Sequence, residues 1–116
     1  MPSTVVLARR LVQYAFTSWG CDQNLVQDSM LVMSEIVTNA VTAARGDKIR
    51  LRCTFQDGAP LLECWDPSPA LPVRRDVPET AENGRGLSII AAYAKATGTR
   101  SSATGQGKIV WVLMPV

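Results

Sequence analysis

Three groups of residues have the types and spacing to do chemistry. The first is Ser34-Glu35-Ile36-Val37-Thr38-Asn39-Ala40, where Glu35 and Asn39 lie four apart. On a helix that spacing puts both side chains on one face, ~5–6 Å apart at Cβ. Glu35 is the only charged residue between Ser29 and Ala44, with Leu31, Val32 and Thr38 around it. A solvated helix face normally carries several charges. A solitary carboxylate among apolar neighbours is expected to be paired, metal-linked or functional. The plainer alternative is an exposed glutamate on an alanine- and valine-rich helix. The second group is Trp65-Asp66-Pro67-Ser68-Pro69. Strand parity points Asp66 the same way as Leu62 and Cys64, toward the side expected to face helices. A carboxylate ending a strand and aimed inward can accept a hydrogen bond from an exocyclic amine such as adenine offers, or it can simply initiate a turn before proline. The third group is Gly84-Arg85-Gly86-Leu87. Glycines let a backbone approach a ligand, and a following helix N-terminus supplies free N–H groups and a positive dipole end, a combination suited to phosphate. Loops before helices often contain glycine for no such reason. The segment matches neither the P-loop pattern nor the strand-linked dinucleotide fingerprint.

Composition narrows what else is feasible. The chain has no histidine, which removes Ser-His-Asp triads, Cys-His pairs and mixed Cys/His zinc sites. Three cysteines, Cys21, Cys53 and Cys64, are too few and too scattered for a Cys₄ site or a disulfide framework. They read as small buried hydrophobes in a reducing cytoplasm. The 116 residues, 47% hydrophobic and 19% charged, suit a single domain spanning 1–116. A net charge of +2 without a basic block gives no nucleic-acid footprint. No apolar run approaches the ~20 residues that span a bilayer, and Arg9 and Arg10 come too early for a secretory h-region.

The elements that must position these groups follow from periodicity and punctuation. Ser3 can cap a helix from Thr4 to Trp19 with Val5, Ala8, Val12, Ala15 and Trp19 recurring at helical spacing; Gly20 stops it. Asp22 can cap a second helix from Gln23 to Arg45, with Gly46 as its left-handed stop. Ile49, Leu51, Cys53 and Phe55 alternate with polar residues as a half-buried strand, and Asp57-Gly58 turns the chain into a partner strand from Leu61 to Asp66. Residues 67–86 hold four of the seven prolines. A connection of about 20 residues is far above the usual ~4–6 and is often a functional lid; a tolerated surface insertion is the alternative. A helix from Leu87 to Ala96 is expected next, then a hairpin of Gly98–Thr104 and Ile109–Met114 around Gly105-Gln106-Gly107. The order α-α-β-β-lid-α-β-β predicts an α+β two-layer sandwich, a mixed or antiparallel sheet with helices on one face.

Taken in order, Glu-x-x-x-Asn on a helix, an Asp ending a strand, a lid and Gly-x-Gly opening a helix resemble the GHKL ATP-binding fold. That superfamily includes gyrase, a heat-shock chaperone, histidine kinases and mismatch-repair ATPases. Ala-Arg-Arg-Leu-Val (8–12), Ser-Glu-Ile-Val-Thr-Asn-Ala-Val (34–41), Gly-Arg-Gly-Leu (84–87) and Gly-Lys-Ile-Val-Trp (107–111) look like the stand-alone serine kinases that act as bacterial anti-sigma factors, in their actinobacterial branch. The resemblance covers nearly the whole chain. It implies ATP and Mg²⁺ as cofactors, with Asn39 as an oxygen ligand of the metal and Glu35 as the base toward an incoming serine hydroxyl. It further implies Asp66 as acceptor for the adenine amine, and Gly84, Arg85, Gly86 and Leu87 around the phosphates. The lid would close over the nucleotide and exclude water.

The sequence departs from that family at four places. Pro67-Ser68-Pro69 replaces a glycine-containing box, and Lys108 and Ile109 stand where a threonine commonly supports the adenine carboxylate. Ala43 replaces a histidine, and helix signals begin at Ser3 where an N-terminal strand is usual. The function implied is an ATP-dependent serine/threonine kinase that phosphorylates a small STAS-type anti-anti-sigma partner and itself sequesters a sigma factor. The resemblance also implies a cytoplasmic homodimer, with the open sheet face or an edge as the candidate surface. A nucleotide-gated binding module without catalysis is the alternative. A histidine-kinase catalytic domain would need a separate phosphoacceptor partner, and a plain structural module would make all three groups coincidental.

Overall fold

A computed structural model describes residues 3–68 and 90–115. Ser3 caps α1 (Thr4–Ser18), its Oγ accepting from the Val6 N–H at 3.2 Å. Ala8, Val12 and Phe16 form the buried stripe of α1, with Val5 and Ala15 packed partly against the core. Trp19, expected on that stripe, is 42% exposed. It lies past the end of the helix and stacks between Phe16 (5.3 Å between centroids) and Phe55 (4.7 Å). Asp22 caps α2 (Gln23–Ala44) through the Asn24 N–H at 3.0 Å. The left-handed stop starts one residue earlier than expected: Arg45 has φ 50 and Gly46 φ 91. A side chain at that angle costs about 1–2 kcal/mol, which the packed helix absorbs.

β1 (Arg50–Gln56) and β2 (Ala59–Asp66) pair through the expected Asp57-Gly58 turn, both residues at positive φ as a primed hairpin turn requires. Pairing begins at Ala59 rather than Leu61. The expected helix after the lid has one described turn, residues 90–93, with the Ala94 N–H on the Ile90 carbonyl at 2.9 Å; its start at Leu87 lies outside the described residues. That turn ends before Ala96, because β3 (Ala96–Ser101) begins there and not at Gly98. Ala96 pairs with Leu113, so β3 extends to match the full length of β4 (Lys108–Leu113). β3 stops at Ser101 rather than Thr104. Ser102 and Thr104 belong to the turn, their hydroxyls 3.1 Å apart and the Gly105 N–H on the Ser102 carbonyl.

The described sheet is fully antiparallel in the order β1-β2-β4-β3. One face packs on both helices. Leu62, Cys64, Val112 and Met114 join Ala8, Val12, Phe16, Val26, Met33, Ile36, Val37, Ala40 and Ile90 in a single core. Each fully buried large side chain there contributes about 1.5–3 kcal/mol. The other face carries Trp65 and Trp111, with Glu63 paired to Arg100. Trp111 lies against Gly98, where a Cβ would meet its ring at 2.7 Å. This is the α+β layered fold expected of a GHKL-type domain.

Candidate functional site

The site is built where the core runs out. On the helix-facing side, β2 and β4 set Leu62 opposite Val112, Cys64 opposite Val110, and Asp66 opposite Lys108. Two apolar rungs are thus followed by a charged one. Asp66 is 1% exposed and Lys108 5%, with Lys108 Nζ 2.9 Å from Asp66 Oδ1. Oδ1 also accepts the Ser68 N–H at 2.9 Å, and Lys108 Nζ donates to the Ser68 carbonyl at 3.4 Å. Burial of either charge alone would be prohibitive, so each requires the other. Both bonds to Asp66 fall on Oδ1, and a carboxylate has about four acceptor sites. Oδ2 therefore keeps acceptor capacity. Parity predicted the inward aim of Asp66. The residue also starts the turn before Pro67, so both roles considered for it in the sequence are compatible in one geometry.

The β3–β4 turn clamps this corner. Trp65 Nε1 donates to the Gln106 carbonyl at 2.9 Å. Gly107, at φ +76, sits so close to the β2 end that a Cβ would overlap the Asp66 carbonyl oxygen and lie 3.0 Å from Pro67 Cα. Arg50 covers the Trp65 ring at 5.3 Å, within range of a cation–π contact.

Glu35 and Asn39 lie on α2, Glu35 half-buried and Asn39 exposed. Neither side chain makes a hydrogen bond or ion pair among the described residues. Glu35 is flanked by buried Val32, Ser34 and Ile36, which accounts for the absence of other charges nearby. α2 ends at Ala44 and β1 begins at Arg50, which pairs with Trp65. The C-terminal end of α2 and the C-terminal end of β2 are therefore at the same end of the sandwich. Gly84, Arg85, Gly86 and Leu87, and the segment beyond Ser68 expected to be a lid, lie outside the described residues.

The resemblance put Lys108 and Ile109 where a threonine commonly supports the adenine carboxylate, but sequence reasoning did not assign Lys108 an ion pair with Asp66. Its signal was present: a lysine in the parity class of Val110 and Val112, in a strand that otherwise reads as apolar. Among the described residues no cluster of three or more His, Cys, Asp or Glu side chains has metal-binding geometry, and no helix is long and apolar enough to cross a membrane.

The cysteines are all free. Cys64 is buried, while Cys21 and Cys53, expected in the core, are only partly so. Burial pushes the Cys53 thiol up to about 11 and the Cys64 thiol to about 12, the latter reinforced by the Asp66 charge; Cys21 is raised by burial as well. The reactive thiolate is therefore suppressed. In the native protein at pH 8, an alkylating reagent followed by peptide mapping is expected to label Cys21 first, and Cys53 and Cys64 only with unfolding. Above the ordinary thiol value of 9.0, the unfolded chain loses protons that the folded chain keeps. Stability should thus fall as pH rises from 9 toward 11.

Compared with known families, residues 1–114 match the histidine kinase-like ATPase domain. The fold and this match over nearly the whole chain define its class: the chain belongs to the histidine kinase-like ATPase domain family, of GHKL type. Comparison with curated proteins finds no match. Membership carries with it ATP binding by a kinase-like ATPase domain.

Proposed function

We propose that this protein is an ATP-dependent serine/threonine kinase that phosphorylates a STAS-type anti-anti-sigma partner and regulates transcription by partner switching. The observation that carries the reading is the pair Glu35 and Asn39, one helical turn apart on α2 and free of partners among the described residues, on the helix whose C-terminal end leads into β1 beside the strand end that carries Asp66. A structural carboxylate beside buried apolar positions would be expected to have a partner. A general base must keep its acceptor free.

In this reading the whole chain is one domain with residues 67–86 as its lid. Asp66 accepts from the adenine amine through Oδ2. The exposed carboxamide of Asn39 would supply a hard oxygen donor of the type Mg²⁺ takes, and the metal, when bound, would supply positive charge against the phosphates. Glu35 takes the proton from the serine Oγ as the Oγ–P bond forms and the bond to the bridging oxygen breaks, with ADP leaving. Gly84, Arg85, Gly86 and Leu87 contribute backbone N–H groups and positive charge around the phosphates. The sigma factor, homodimerisation and a cytoplasmic setting belong to the same proposal.

The second reading, a nucleotide-gated binding module, draws on the internally paired Asp66, which lets the fold stand without a ligand. Glu35→Gln separates the two. With a purified STAS protein and γ-labelled ATP, the kinase reading expects phosphotransfer to fall by about 10²-fold or more, with ATP affinity by calorimetry nearly unchanged. Undiminished transfer in the variant would remove Glu35 as the base. ATP binding without transfer by the wild-type protein would favour the gated module.

A further inference from the structure

We infer that Lys108 is a specificity-determining residue of the nucleotide site: its ammonium donates to the ring nitrogen N1 of adenine while Asp66 accepts from the neighbouring amine. The inference rests on the reading of Asp66 as the adenine acceptor and adds a second reader beside it. Three observations support it. Lys108 and Asp66 are direct cross-strand partners on β4 and β2, so donor and acceptor are fixed side by side, 2.9 Å apart, on two central strands. An ammonium has three donors; one goes to Asp66 Oδ1 and one to the Ser68 carbonyl, leaving a third without a partner among the described residues. A buried charge with an unused donor is expected to find an acceptor.

The chemistry of the edge fits. Adenine presents a donor, the N6 amine, beside an acceptor, N1. The protein presents an acceptor, Asp66 Oδ2, beside a donor, Lys108 Nζ. Hypoxanthine and guanine reverse that order, with a carbonyl acceptor at position 6 and an N–H donor at N1, so they would set like against like at both positions. Lys108 also holds the Asp66 side chain in one orientation before the base arrives, which lowers the ordering cost of binding.

The test is nucleotide selectivity measured by calorimetry in the presence of Mg²⁺, with ATP, 1-deaza-ATP and ITP as probes. 1-Deaza-ATP keeps the amine and lacks only the N1 acceptor. The wild-type protein is expected to bind ATP about tenfold or more tighter than 1-deaza-ATP, as loss of a hydrogen bond to a charged group implies. In Lys108→Met that ratio should collapse toward one while the preference for ATP over ITP, read by Asp66, is reduced but retained. Equal wild-type affinity for ATP and 1-deaza-ATP would overturn the role of Lys108 and leave the adenine reading of Asp66 intact. The wild-type comparison needs no substitution, so it decides the matter even if Lys108→Met fails to fold. No binding of ATP at millimolar concentration would overturn both. Survival of the tenfold ratio in a folded Lys108→Met protein would assign N1 to another donor.

Discussion

Asp66→Ala is expected to lower the free energy of unfolding by about 3–5 kcal/mol, because it leaves the Lys108 ammonium buried without its counter-charge. A domain of this kind has about 5–15 kcal/mol in total, so the variant should be near the edge of folding at room temperature. Denaturant titration followed by circular dichroism measures it. The double variant Asp66→Leu/Lys108→Met should recover most of the loss, since a buried ion pair replaced by apolar residues of similar volume is often neutral or better. A double variant as unstable as Asp66→Ala would mean that the pair is not the source of the cost. The consequence for binding experiments is direct. Loss of ATP binding in an Asp66 variant is informative only once that variant has been shown to fold.

Gly107→Ala should be the most damaging single-methyl change among the described glycines of the last hairpin. Gly105 and Gly107 share φ +76, but a Cβ on Gly105 has nothing within 4 Å, whereas on Gly107 it overlaps the Asp66 carbonyl. Gly105→Ala thus bears only the backbone cost of about 1–2 kcal/mol. Gly107→Ala adds a main-chain clash that displaces β4 from the end of β2, worth about 1–3 kcal/mol more. The difference between the two unfolding free energies isolates the clash. Equal values would show that the turn moves freely and does not brace Asp66. Because Lys108 follows Gly107 directly, Gly107→Ala should also weaken ATP binding, while Gly105→Ala should not.

Much of this arrangement was legible in the chain. Ser3 and Asp22 announced both helix starts because a cap is a local bond to an amide two or three residues on. Asp57-Gly58 announced its hairpin because few residue pairs tolerate two positive φ angles. The inward aim of Asp66 followed from the two-residue repeat of a strand. Other features depend on contacts between distant segments and left only weaker local marks. β3 begins at Ala96 because Leu113 is there to pair with it. Trp19 is exposed because the helix ends beneath it, although its spacing fits the apolar stripe. The ion pair of Lys108 with Asp66 was not assigned from the sequence, since the two residues are 42 apart and pairing register is not visible in either strand alone. Gly84 to Leu87, expected around the phosphates from sequence and family resemblance, lie outside the described residues.

The sheet order has a consequence for how the protein comes to exist. β4 is synthesised after β2 and β3, yet it lies between them. Until it arrives, Asp66 has no Lys108 beside it, and β2 has an open edge. On the ribosome, then, the helices and the first hairpin can form early from near-neighbour contacts, whereas the corner around Asp66 must wait for the C-terminal residues. A chain without β4 would carry Glu35 and Asn39 but not the closed corner around Asp66. In the proposed reading, nucleotide capture should accordingly begin only when the β3–β4 hairpin has closed.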